Sequence, residues 1–159
     1  MCGLAGSSAS PEGFLARAVR LLRHRGPDGE GEWRERDGRF GLAHTRLAII
    51  DLSAAAAQPM VSDCGRFVIA FNGEIYNFRS LRAELEAKGE RFRSDSDTEV
   101  LLALLKREGT AGLSRAVGMF AFALWDESSQ RLLLACCGVP CCLVLDLRID
   151  FCTKDHKRR

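Results

Sequence analysis

In Arg66-Phe67-Val68-Ile69-Ala70-Phe71-Asn72-Gly73-Glu74 a strongly apolar run passes directly into three residues of functional type. A short run of aliphatic and aromatic residues reads as a buried strand. Arg66 to Phe71 is therefore expected as a strand, with Asn72, Gly73 and Glu74 at its end. Two readings of Asn72-Gly73 compete. Asn-Gly is a common two-residue hairpin turn. It is also a pair of oxyanion donors, a side-chain amide beside a backbone N–H that glycine leaves open to close approach.

Working outward, Leu4 to Ser8 reads as a buried strand of small and apolar residues. Pro11 to His24 predicts a helix, with Pro11 in its first turn and Phe14, Leu15, Ala18, Val19 and Leu22 on one face. Gly26-Pro27-Asp28-Gly29 marks a turn. Phe40 to Ile50 holds two short apolar stretches around His44-Thr45-Arg46, expected as strands meeting at a polar site. Ser53 to Ser62 reads as a loop. Ser80 to Lys88 predicts a helix stopped by Gly89. Asp97 to Lys106 predicts another, capped by Ser96 or Asp97 and burying Val100, Leu101, Leu104 and Leu105. Met119 to Trp125 and Arg131 to Leu134 predict a hairpin across Asp126 to Gln130. Strands at both ends with helices between them imply a layered α+β fold.

The 159 residues suffice for one domain with its own core. A net charge of +2 argues against a nucleic-acid or acidic-membrane partner, and the basic His156 to Arg159 run reads as a solvated tail. The chain holds no apolar run long enough to span a membrane, and Met1 to Gly6 lacks the form of a secretory signal. The expected compartment is the cytoplasm, where structural disulfides are not expected. The seven cysteines are unevenly placed: Cys2 and Cys64 stand apart, while Cys136, Cys137, Cys141, Cys142 and Cys152 crowd the end.

Cys2 is small enough for Met1 to be trimmed, which would leave a free α-amino group on the residue that carries the thiol. An amine with a pKa near about 8 can take the proton from its own thiol, and the thiolate is a strong nucleophile. A cysteine near a chain start also occurs with no role. Arg46 has the fork that matches a substrate carboxylate, or it is a surface charge on a strand. Asp97 can pair with a substrate ammonium, or cap a helix.

The order of the motifs decides among these. Met1-Cys2-Gly3-Leu4-Ala5-Gly6 is followed by Arg23-His24-Arg25-Gly26-Pro27-Asp28, then by Leu42-Ala43-His44-Thr45-Arg46-Leu47-Ala48-Ile49-Ile50-Asp51-Leu52 and Gln58-Pro59-Met60. Phe71-Asn72-Gly73-Glu74-Ile75-Tyr76-Asn77, Ser96-Asp97-Thr98-Glu99-Val100 and Gly118 to Asp126 complete the series. In this order they resemble the N-terminal glutaminase domain of glutamine-hydrolysing asparagine synthetases, a class II amidotransferase domain of the N-terminal-nucleophile hydrolases, over residues 1–135. The resemblance implies a four-layer αββα sandwich, incomplete at the C-terminus. It implies hydrolysis of L-glutamine to glutamate and ammonia, with Cys2 as nucleophile and Asn72 with Gly73 as the oxyanion hole. It further implies that Arg46 holds the glutamine carboxylate and that the Leu47, Ile49 and Ile50 segment lines the pocket. Glu74 and Asp97 would contact the amine side, and the Arg25 to Asp28 turn would lie near the mouth. No cofactor or metal is implied for this step. ATP and magnesium belong to a synthetase domain, which would amidate aspartate with the ammonia as partner domain or chain; a homodimer is a possible assembly.

Beyond Ala135 the resemblance stops. Cys136 to Arg159 reads as a non-family tail such as a shifted frame or truncation leaves, in place of the family's late strands. A four-thiolate zinc site is a poor fit, because adjacent cysteines rarely both reach one ion. Cys141 to Ile149 is apolar enough for a divergent strand. Two rival functions follow: an inactive truncated fragment, or a glutaminase domain serving a different amide acceptor.

Overall fold

The computed structural model describes residues 1–8, 13–138 and 141–149, with only the backbone of 138, 141 and 142. Pro11, Cys152, the His156 to Arg159 run and the side chains of Cys141 and Cys142 lie outside the described residues. Strands β1 (Gly3–Ser7), β2 (Gly29–Arg34) and β3 (Gly41–Arg46) form one antiparallel sheet in the order β1-β3-β2. Strands β4 (Met60–Val61), β5 (Phe67–Ile75), β6 (Gly118–Asp126), β7 (Arg131–Gly138) and β8 (Cys141–Arg148) form a second, in the order β4-β5-β6-β7-β8. Helix α1 (Phe14–Leu22) covers the outer face of the first sheet, and α2 (Phe78–Ala87) and α3 (Asp97–Glu108) cover that of the second. The result is a four-layer αββα sandwich.

Three apolar clusters hold the layers together. Leu15 and Val19 of α1 pack on Ala43 of β3. Between the sheets lie Phe40, Leu42, Val68, Ala70, Ala123 and Trp125. Trp125 is fully buried and stacks on Phe40 with ring centroids 4.3 Å apart. Beneath the second sheet, Ile69, Phe71, Phe120 and Phe122 meet Leu81, Leu85, Val100, Leu101 and Leu104 of the helices. Each such side chain contributes about 1.5–3 kcal/mol by leaving water.

The side-chain period of two sorts every strand between these clusters. Val68 and Ala70 face the first sheet, while Ile69 and Phe71 face the helices. Leu42 of β3 and Leu4 of β1 also point between the sheets. Continuing each alternation places Cys2, His44, Arg46, Asn72 and Glu74 at one end of that same inter-sheet layer.

Several local expectations are corrected. Strand β5 does not stop at Phe71; it runs to Ile75, pairing Asn72 with Ala121 and Gly73 with Phe120, so Asn72-Gly73 is not a hairpin turn. Only one strand lies around His44, not two. Leu47 and Ala48 leave the ladder because their N–H groups turn to the Cys2 sulfur and the Asp28 carboxylate. Helix α1 is shorter than expected and ends in a 3-10 turn, Arg23–Arg25. Strand β2 was not foreseen, since Trp33 is its one large apolar residue. Met60 and Val61 of the expected loop pair with β5.

Residues 141–148 of the tail form β8, which pairs along the whole of β7. Leu143, Leu145 and Leu147 lie opposite Cys136, Leu134 and Leu132 and are exposed, because the three-stranded sheet does not extend over them. Cys137 is disulfide-bonded, against the expectation of no structural disulfide, in a register that sets it opposite Cys142. No helix among the described residues is long and apolar enough to cross a membrane.

Candidate active site

One cavity of about 330 Å³ opens at the polar end of the inter-sheet layer. Cys2, Arg46, Leu47, Ile49, Ile50, Asn72, Gly73, Glu74 and Asp97 all line it. Every residue expected to act on substrate thus lines one cavity, although the residues come from the start of the chain, β3 and the segment after it, β5 and α3.

Cys2 is half-buried just ahead of β1. The Leu47 N–H donates to its sulfur at 3.3 Å, and the Leu47 carbonyl lies 3.7 Å from the same atom. Arg25 donates from Nε to the Cys2 carbonyl at 3.1 Å, and Asp28 accepts from the Ala48 N–H at 2.9 Å. The Arg25 to Asp28 turn therefore braces the Cys2 backbone and the Leu47 segment; it does not itself line the cavity. Met1 does line the cavity.

Asn72 and Gly73 occupy a regular stretch of β5. Gly73 has φ 147°, and a β-carbon there would meet the Met119 carbonyl oxygen at 2.3 Å. Only glycine fits here, against the backbone of β6.

Arg46 is not a loose surface charge. Its guanidinium donates to the carbonyls of Ser53, at 2.9 Å, and Asp51. The Asp51 carboxylate accepts from the Ser53 and Asp95 N–H groups, each at 2.7 Å. Those bonds, the Ser53 interaction first, hold its pKa below the ordinary 3.8. The 51–53 loop is thereby fixed to the residue two places before Asp97.

Asp97 is buried, and its Oδ2 accepts from the Ile75 N–H at 3.0 Å. It does not cap α3. Ser96 does so, accepting from the Glu99 N–H at 3.2 Å. Glu99 in turn accepts from the N–H groups of Arg93 and Ser94. Burial pushes the Asp97 carboxyl above its ordinary 3.8, against the pull of the Ile75 and Thr98 N–H groups, and the Glu74 charge adds to the rise. A buried carboxylate beside a second carboxylate is a site for a cation such as an ammonium group.

Other residues at the site carried no assigned role in the sequence. Gln58 lines the cavity; its amide donates to Thr98 Oγ1 at 3.2 Å and accepts from the Phe71 N–H at 2.6 Å. His44 is fully buried with its Nε2 3.0 Å from the Phe71 carbonyl. Both stood inside motif blocks, but their partners lie 13 and 27 residues away in the chain.

Comparison with known proteins places the chain in a family. The family described as glutamine amidotransferase domain matches residues 1–137. A putative glutamine-hydrolysing asparagine synthetase of Mycobacterium tuberculosis is 42% identical over 154 residues, covering 85% of this chain and 24% of that protein. Asparagine synthetase B of Escherichia coli is 46% identical over 117 residues, covering 72% of this chain and 20% of that protein. The chain thus spans about a quarter of the length of the curated relatives it matches. Among solved structures, the Bacillus subtilis glutamine phosphoribosylpyrophosphate amidotransferase superposes with a TM-score of 0.69 at 24% identity, covering 85% of this chain and 36% of that one. It shares the fold.

Proposed function

Because the chain belongs to the glutamine amidotransferase domain family, we propose that it hydrolyses L-glutamine to glutamate and ammonia through a thioester on Cys2. The ammonia serves an acceptor domain or chain that amidates aspartate, and ATP and magnesium belong to that acceptor. The observation that carries this reading is the single cavity that gathers Cys2, Arg46, Asn72, Gly73 and Asp97.

With Met1 removed, the α-amino group of Cys2 takes the thiol proton. The thiolate attacks the side-chain carbonyl carbon of glutamine, and the carbon–sulfur bond forms. The Asn72 amide and the Gly73 N–H receive the oxyanion, each such donor contributing about 3 kcal/mol to the transition state. The protonated amine returns its proton to the leaving nitrogen as the carbon–nitrogen bond breaks, releasing ammonia. Water, deprotonated by the same amine, then cleaves the thioester to glutamate and free thiol. Arg46 holds the substrate carboxylate, and Asp97 with Glu74 holds its ammonium group.

The test pairs intact mass with glutamate release from glutamine in one sample. Loss of Met1, release of glutamate, and its abolition by a thiol-reactive glutamine analogue are expected. A folded, Met1-free chain that releases no glutamate defeats the proposal. Substantial activity in a clean Cys2→Ala preparation defeats the assignment of the nucleophile.

A further inference from the structure

Strand β4 pairs with β5 only at Met60 with Ile69 and Val61 with Val68, so the ladder ends two residues short of Phe71. The backbone of Phe71, the residue directly before Asn72, finds its partners elsewhere. Its N–H donates to Gln58 Oε1 at 2.6 Å, and its carbonyl accepts from His44 Nε2 at 3.0 Å. A carbonyl only accepts, so His44 carries its proton on Nε2. That leaves Nδ1 as a buried lone pair with no hydrogen-bond partner among the described residues. An unsatisfied buried acceptor is costly, so the imidazole is held there against a local penalty. Leucine, as at neighbouring Leu42, would fill the inter-sheet layer without that penalty.

The bond also joins the two sheets at a decisive place. His44 is two residues from Arg46 on β3, and Phe71 adjoins Asn72 on β5. Gln58 closes the other side by tying Phe71 to Thr98, next to Asp97. A rotation of the Phe71–Asn72 peptide would swing the Asn72 amide away from the oxyanion.

We infer that His44 is a positioning residue for the oxyanion hole, its Nε2–H fixing the Phe71 carbonyl so that Asn72 and the Gly73 N–H meet the developing charge. The inference rests on the glutaminase reading above. Because it concerns the transition state, loss of the bond lowers kcat and leaves KM nearly unchanged.

The experiment compares His44→Leu, His44→Asn and His44→Gln in glutamine hydrolysis. The Gln amide nitrogen reaches the place of Nε2, and the Asn amide nitrogen does not. A fall in kcat of about 10- to 100-fold is expected for Leu and Asn, with KM within about twofold, and substantial recovery for Gln. Alkylation of Cys2 by iodoacetamide, which needs no oxyanion hole, should proceed at the wild-type rate in all three. Equal turnover of folded Asn and Gln variants, or a change confined to KM, overturns the inference. If the variants fail to fold, imidazole nitrogen NMR of the wild type decides. A His44 Nε2–H signal that shifts when Cys2 is acylated by a glutamine analogue supports the inference, and one that is absent or unmoved overturns it. A wild-type chain that neither releases glutamate nor reacts with the analogue refutes the glutaminase reading itself.

Discussion

The Leu47 N–H points at the Cys2 sulfur from 3.3 Å, so the nucleophile is bonded to the segment that follows Arg46, the residue proposed to grip the substrate carboxylate. The proposed nucleophile and the proposed carboxylate clamp are thus spaced by the backbone of β3 and its continuation. Cys2→Ser keeps a group that Leu47 can bond but replaces a thiolate with a far weaker nucleophile. It should still bind glutamine, seen as a ligand-induced rise in melting temperature, while turnover falls by more than about 10³-fold. Serine turnover near wild type would contradict the thiolate mechanism.

Asn72→Ala removes one donor of the proposed oxyanion pair and should lower kcat by about 10²–10³-fold, with KM changed little. Gly73→Ala tests the backbone instead. Its β-carbon would enter the Met119 carbonyl at a φ of 147°. Destabilisation by more than about 2 kcal/mol is expected in chemical denaturation, and a stable Gly73→Ala protein would show that β5 can shift.

Arg46→Lys keeps the charge and loses the planar fork. Since Arg46 also holds the Asp51 and Ser53 carbonyls, KM should rise at least about tenfold while kcat falls less. Initial rates across a glutamine series separate the two effects. An unchanged KM would remove Arg46 from the carboxylate site.

His44 gives the domain a predictable response to acid. Burial lowers its pKa from 6.5 to about 4, against the Phe71 hydrogen bond, and the Arg46 charge adds to the lowering. The unfolded chain therefore binds a proton that the folded chain refuses between these values. Stability from this residue is complete above about pH 6.5 and is lost as pH falls toward 4, by about 3 kcal/mol in all. Asp97, with its raised pKa, works in the opposite direction. Denaturation midpoints of wild type and His44→Gln across this range isolate the histidine: wild type should lose more, and parallel curves would exclude the effect.

Ser96→Ala removes the α3 cap and should cost about 1 kcal/mol. Because Asp97 is the next residue, KM for glutamine should rise as well. A stability loss with unchanged KM would show that Asp97 is held by Ile75 alone.

The layers of this fold are legible in the sequence wherever apolar residues keep a period. Val100, Leu101, Leu104 and Leu105 announce α3, and Val68 to Phe71 announce β5. Neither pattern tells where β5 ends, because its last turn of pleat, Asn72 to Ile75, is held by β6 and not by its own composition. Strand β2 is invisible for a related reason: Gly31 and the two glutamates pair with β3 without burying a large side chain. Cys2, Arg46, Asn72 and Asp97 mean little singly, and only the order of their motifs points to the cavity they line. His44 and Gln58 carry no such signal, because both bond to the backbone of Phe71 and no local pattern reports a bond to a distant peptide.

Among the described residues the two sheets are unequal, three strands facing five, and they overlap over β5 and β6, with the cavity at one end of that overlap. Strand β8 lies at the outer edge of the larger sheet, with Leu143, Leu145 and Leu147 facing solvent. Wear on this domain should therefore begin at its flank. Changes beyond Ala135 should appear first as clumping in concentrated solution, in a protein whose remaining dissolved molecules still turn over at full speed.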